Sequence, residues 1–197
     1  NGRFATVTNY RDAEPPSPRH RSRGHLVTDF LESDLEPSAF LETVDENAYA
    51  GFNLIVGRAT EVAYLSNREE GTRTLGPGTY GLSNALLDGP WHKVESSKRR
   101  LSNLLDSGDI NETSIMRLIN DREKAPVSGV DKGRLDFGTA HAITAPFIVL
   151  PDYGTRCTTA VLADSEGNWR FIERRFDRSG RNTGESQFQV RLSGTYS

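Results

Sequence analysis

The decisive stretch of the chain is Leu75-Gly76-Pro77-Gly78-Thr79-Tyr80-Gly81-Leu82-Ser83-Asn84-Ala85-Leu86-Leu87. Pro77-Gly78 is turn chemistry, because proline pre-sets φ and glycine accepts positive φ. Thr79-Tyr80 then predicts a short strand. Gly81 permits a bend or a close backbone approach at that strand's end. Ser83 and Asn84 therefore fall where a strand stops, and both can donate and accept hydrogen bonds. Polar groups on a stiff frame suit a binding site, whereas composition alone also fits a loop with an Asx-type turn.

Upstream, residues 52–56 form an apolar run with almost no polar break, which predicts a strand covered on both faces. Residues 57–60 are expected to turn. Residues 61–66 return as a second strand, with Val62 and Tyr64 on one face. Asn67-Arg68-Glu69-Glu70 reads as an exposed turn. Residues 4–10 alternate as a strand that ends near Asn9. The polar loop over 11–23 carries Pro15, Pro16 and Pro18 and a basic cluster of Arg19, His20, Arg21 and Arg23. A solvated flank is the expectation for that cluster, and an anion contact the alternative. Residues 24–33 predict an amphipathic helix, and Pro37 suits the first turn of a second one.

Downstream, a helix is expected to start within residues 88–94, with Pro90 near its first position and Val94, Leu101, Leu104 and Leu105 as its apolar stripe. Residues 111–121 predict another helix, and residues 123–138 a loop or flap. The C-terminal third reads as β: 142–150 pairing with 157–163, then 169–173, a loop over 176–186, and an alternating strand over 187–192. Antiparallel strands with helices of one apolar stripe each imply an α+β fold, sheets packed together with helices outside.

A length of 197 residues, 35% hydrophobic and 26% charged, suits one globular domain over residues 1–197. The net charge of -3 gives no basic field, so nucleic acid is not an expected partner. Cys157, the single cysteine, cannot form an intrachain disulfide and is expected to be a buried, inert thiol in a reducing compartment. No apolar run approaches the roughly 20 residues of a membrane helix. His20, His25, His92 and His141 lack metal-type spacing, so no metal site is expected, and His92 reads as a surface residue. Asn1-Gly2 is a hairpin signal with no strand before it. The expectation is a fragment lacking its N-terminal strands.

The blocks Val7-Thr8-Asn9-Tyr10-Arg11, Ser22-Arg23-Gly24-His25-Leu26-Val27, Gly51-Phe52-Asn53-Leu54-Ile55, Pro77-Gly78-Thr79-Tyr80-Gly81-Leu82-Ser83-Asn84-Ala85 and Tyr153-Gly154-Thr155-Arg156-Cys157-Thr158 occur in order. Together they resemble the NRDE family, also called the transport and Golgi organisation protein 2 family. The resemblance implies the four-layer αββα sandwich of N-terminal-nucleophile hydrolases. It implies a role in haem trafficking, with haem as cargo, in the cytoplasm with mitochondrial or Golgi association. Its alternative is an N-terminal cysteine amidohydrolase acting on an acyl amide, whose cysteine and signature Arg and Asp precede Asn1.

By position, Asn9, Asn84 and Arg156 resemble the catalytic shell of bile-salt and penicillin V hydrolases. An asparagine amide donates to an oxyanion, a contact worth about 3 kcal/mol in a dry site. A guanidinium stabilises a thiolate. Capping of strand ends by the two asparagines, and a structural ion pair for Arg156, are the competing readings. Tyr80, Trp91 and Tyr153 are candidate ligand-wall residues, with the polar Ser83 beside them, although aromatics also serve cores.

Overall fold

A computed structural model describes residues 2–12, 17 and 20–192. Asn1, Pro15, Pro16, Pro18 and Arg19 lie outside the described residues, as do residues 13 and 14 of the expected 11–23 loop. The chain divides into two compact units, one ending at Gly89 and the other beginning at Pro90.

In the first unit, β1 (Phe4–Asn9), β2 (Phe52–Arg58), β3 (Glu61–Ser66) and β4 (Thr72–Thr74) form one antiparallel sheet in that order. Helices α1 (Gly24–Glu32) and α2 (Pro37–Leu41) connect β1 to β2, followed by a single 3₁₀ turn, Glu46–Ala48. Strand alternation sends Phe52, Leu54 and Val56 of β2 and Ala63 and Leu65 of β3 to one face. There they meet Leu26 and Phe30 of α1, Phe40 and Leu41 of α2, and Tyr49 in one core. The Phe30 and Phe40 rings meet edge-on at 5.1 Å. Phe30, Phe52 and Leu54 are fully buried, each worth about 2 kcal/mol of apolar transfer. The opposite face carries Asn53, Tyr64 and Ser66, which are also buried.

Two sequence expectations shift here. Gly57 and Arg58 belong to β2 rather than to a turn, because Gly57 pairs with Phe4 and Arg58 with Glu61. A Cβ on Gly57 would come within 2.4 Å of the Phe4 ring, so the strand passes beneath that ring. Thr79-Tyr80 forms no strand; β4 uses Thr72–Thr74 instead. Ladder pairing ends where Leu75 N–H donates to Val62 O at 2.8 Å, just before Gly76 and the donor-less Pro77.

The second unit begins with α3 (His92–Ser107) and α4 (Glu112–Ile119), then α5 (Phe137–Ala142), and ends in the antiparallel sheet β5 (Cys157–Ala163), β6 (Asn168–Phe176), β7 (Asn182–Arg191). Trp91, not Pro90, immediately precedes α3, which closes on Gly108 at φ 72°, the left-handed cap that glycine favours. Asn111 and Ser114 form a capping box at the start of α4. Met116 packs on Ala160 and Ile172, flanked by Ile115 and Ile119, so α4 covers one face of this sheet.

Residues 142–150 are not a strand. Ala142 closes α5, whose start is capped by the Asp136 carboxylate accepting from Thr139 N–H. Residues 143–150 keep only an isolated bridge, Val149 to Gly154. The partner of β5 is β6, joined through a tight turn in which Asp164 Oδ1 accepts from Glu166 and Asn168 N–H. Residues 182–186, expected as loop, form the first half of β7. Their polarity hides a strand that cross-strand pairs sustain, among them the Arg174–Glu185 ion pair. Both sheets thus carry helices on one face in a mixed α/β architecture. Among the described residues no helix is long and apolar enough to cross a membrane.

Candidate functional site

A buried polar network in the first unit fastens the segment that contains Ser83 and Asn84. It begins at Asn53, fully buried in the middle of β2. A buried amide must find partners or forfeit its hydration. Asn53 Nδ2 donates to Thr8 Oγ1 at 3.1 Å and to Ala85 O at 3.0 Å. Its Oδ1 accepts from Tyr64 Oη at 2.8 Å. Tyr64 Oη in turn accepts from Leu87 N–H at 3.2 Å. Thr8 Oγ1 donates to Ser83 O at 2.7 Å. Three adjacent strands, β1, β2 and β3, therefore each send one side chain to the backbone of residues 83–87. Burial pushes the Tyr64 phenol above its ordinary range, partly offset by the Leu87 N–H.

Asn84 closes the arrangement from above. Its Nδ2 donates to Asn9 O at 2.8 Å, and its carbonyl accepts from Arg11 N–H at 2.7 Å. The structure thus brings Asn9 and Asn84 together, with Ser83 beside them; Ser83 Oγ lies 3.4 Å from Asn84 Oδ1. Asn84 uses one amide N–H on the Asn9 backbone and retains a second. The side chain of Asn9 is exposed and makes no hydrogen bond among the described residues. Tyr80 is exposed too, its hydroxyl donating to Gly76 O at 3.1 Å. Asp88 ties the base of the loop: its carboxylate accepts from Gly81 N–H, and its own N–H donates to Gly81 O, both at 2.8 Å.

Arg156, Trp91 and Tyr153 belong to the second unit. Arg156 is exposed, directly before β5, and its carbonyl accepts from Phe176 N–H at 2.8 Å. Its guanidinium has no ion pair among the described residues. Trp91 is half-buried, with Lys93 Nζ 5.3 Å from its ring. Tyr153 is 63% exposed.

Thr8, Asn53 and Tyr64 were not singled out by sequence reasoning. The signal was present in Asn53, an amide inside the otherwise apolar run of β2, which must have buried partners. Asn67-Arg68-Glu69-Glu70 is also more than an exposed turn. Asn67 Oδ1 accepts from Phe52 N–H at 2.9 Å and its Nδ2 donates to Glu46 O and Tyr49 O, fixing the start of β2. Arg68 forms a two-point pair with Asp12 at 2.7 and 2.8 Å. That hydrogen bond holds the Asp12 carboxyl below its usual range.

Cys157 is exposed, not buried. It begins β5 on the face that α4 does not cover, in register with Arg175. His92 is half-buried rather than on the surface, and its Nε2 is buried without a partner among the described residues. In the basic cluster, Arg21 pairs with Asp29 at 3.8 Å and lies 5.4 Å from the Tyr49 ring. No three His, Cys, Asp or Glu side chains gather as a metal site would need, among the described residues.

A family profile described as Transport and Golgi organisation 2 matches residues 1–178. The chain is 33% identical over 190 residues to the Transport and Golgi organization protein 2 homolog of Bos taurus, covering 88% of this chain and 68% of that protein. The Homo sapiens homolog is 32% identical over 189 residues and the Mus musculus protein 31% over 189, with the same coverage. A profile spanning most of the chain and three such relatives lead to one conclusion: the chain belongs to the transport and Golgi organisation 2 family.

Proposed function

We propose that this protein is a non-catalytic carrier that binds and passes on a flat apolar ligand of the haem class, in the cytoplasm. The observation that carries the reading is family membership, since the names of the relatives speak of transport. Chemistry compatible with it is available in each unit. Tyr80 offers an exposed ring beside the fastened 83–87 segment. Tyr153 and the half-buried Trp91 offer rings in the second unit. Aromatic faces stack on a planar ligand at about 1 kcal/mol each.

The αββα layering implied by the family resemblance is part of this proposal. What supports it is that each unit, taken by itself, is an antiparallel sheet with helices on one face. The test is a haem titration followed by absorbance. A saturable spectral shift, weakened about fivefold by Tyr80→Ala or Tyr153→Ala, is the expected outcome. The absence of any shift overturns the carrier.

One observation favours a second reading, hydrolysis of a non-peptide amide: the contact between Asn84 Nδ2 and the Asn9 backbone. Here the side-chain amide of Asn9 and the second N–H of Asn84 donate to an oxyanion. The nucleophile of this reading is an N-terminal cysteine, a part that the amide side chain of Asn1 cannot play. Assays with an acyl-amide panel decide it: turnover lost in Asn84→Ala supports the enzyme, and no turnover by the protein with its cysteine in place removes it.

A further inference from the structure

We infer that Asn53, Tyr64 and Thr8 are the positioning residues of the Ser83–Asn84 site: they set the backbone conformation in which those two residues are presented. The inference rests on the carrier reading, with the ligand taken to lie against Tyr80 and the 83–87 segment beside it, but its structural half is tested separately.

The geometry points one way. Asn53 Nδ2 spends its two hydrogens on Thr8 Oγ1 and Ala85 O, and Asn53 Oδ1 holds the Tyr64 hydroxyl. Through these the network leaves the sheet at three points: Ser83 O, Ala85 O and Leu87 N–H. Each point lies on the segment and none on a neighbouring strand. A network serving the sheet alone would satisfy itself within the ladder, as Ser66 does by donating to Phe52 O at 3.0 Å. The segment itself has no helix or strand to hold it. Its further ties among the described residues include the Asp88 clasp on Gly81, the Gly89 N–H to Leu86 O bond at 3.0 Å, and the Arg11 and Asn9 contacts of Asn84. Fully satisfied buried networks rigidify what they hold, and a half-satisfied one releases it. An apolar residue at 53, 64 or 8 could fill the same space but could not choose this backbone conformation.

The experiment compares amide hydrogen exchange of residues 83–88 with ligand affinity in four variants. Tyr64→Phe and Thr8→Val keep shape and remove one hydroxyl each. Thr8→Ser keeps the hydroxyl and serves as the conservative rescue. Leu65→Val thins the core on the helix-facing side of the same β3 strand and reports ordinary destabilisation. Expected is exchange accelerated about tenfold at Leu87, whose N–H donates to Tyr64 Oη, and at Asp88, whose N–H donates to Gly81 O, in Tyr64→Phe and Thr8→Val, beyond any change in β2. Thr8→Ser is expected to exchange as the parent does. Leu65→Val is expected to raise exchange in β2 and residues 83–88 by the same factor.

Haem affinity is expected to fall about tenfold in the first two variants and not in Leu65→Val. Unchanged exchange at 83–88 in Tyr64→Phe, or equal acceleration in β2, overturns the inference. Exchange loosened in Tyr64→Phe or Thr8→Val with unaltered affinity for haem also overturns the positioning role. If the parent binds no haem, the carrier proposal falls by itself, and the exchange comparison still decides whether the network fixes the segment. Should Tyr64→Phe fail to fold, Thr8→Val against Thr8→Ser carries the same comparison.

Discussion

Gly51 shows how one missing side chain organises a corner of the first unit. A Cβ there would stand 2.2 Å from Asp12 Oδ2, the oxygen that accepts from Gly51 N–H at 3.1 Å and from Arg68 Nη2 at 2.8 Å. Gly51→Ala must therefore push the carboxylate off its partner. The half-exposed pair is worth about 1 kcal/mol after solvent screening. The loss should appear as a lower urea midpoint, and Asp12→Asn should remove most of the difference between Gly and Ala at 51. At this scale Asn84 was legible as an amide needing a partner, but not which partner, and Asn53 went unmarked inside the apolar run of β2. Asn84 lies 75 residues from Asn9 in sequence, and no local pattern records that meeting. Cys157 was misjudged because apolar character predicts burial only on the average. Its exposure follows from which face of β5 α4 happens to cover.

At the scale of elements, the sheet of the second unit has one face under α4 and another with little cover. Val161, Phe171 and Phe188 stand in register across β5, β6 and β7, and Trp169 faces Val190 in the next row. The Phe171 and Phe188 rings are 6.0 Å apart, and Phe188 is 62% exposed. A contiguous apolar row of this kind should bind an environment-sensitive dye such as anilinonaphthalene sulfonate. Phe188→Ser should lower that fluorescence markedly at little cost to thermal stability, because an exposed ring contributes little burial; undiminished fluorescence would show the row to be covered in solution.

Most elements were legible: α1, the start of α2, α4, β1 and β3 follow from periodicity and caps. Residues 142–150 were not, since an apolar run of that length fits a strand or a buried irregular segment equally. The cap at Asp136, outside the run, decided the matter. The polar half of β7 was hidden for the opposite reason, its strand being maintained by cross-strand partners rather than by its own composition.

At the scale of the molecule, acid should be the condition that weakens the fold. Carboxyls are held below their usual range in Asp12 by the Arg68 hydrogen bond, in Asp136 by Thr139, in Asp164 by Asn168, in Asp177 by the Arg181 N–H and in Glu185 by Arg174. Each has a folded pKa below its unfolded one, so the unfolded chain binds more protons in between. Their contribution is present above the unfolded values, about pH 4, and is lost as pH falls through the folded ones. Urea midpoints measured from pH 6 down to pH 2 should be flat at first and then decline below about pH 4. Asp12→Asn should make that decline shallower, and a midpoint unchanged by acid would contradict these assignments.

By itself the sequence determined local matters: the helices from their apolar spacing, the turns from proline and glycine, the α+β class from the order of elements, and the family resemblance from blocks of adjacent residues. These are short-range properties, governed by backbone dihedrals and by neighbours a few positions away. Tertiary structure alone decided that Thr8, Asn53 and Tyr64 converge on residues 83–87, that Asn84 reaches Asn9, and which face of each strand is covered. Those outcomes depend on strand pairing and burial among residues far apart in the chain, where a polar group takes whichever partner the fold delivers rather than the one its neighbours suggest.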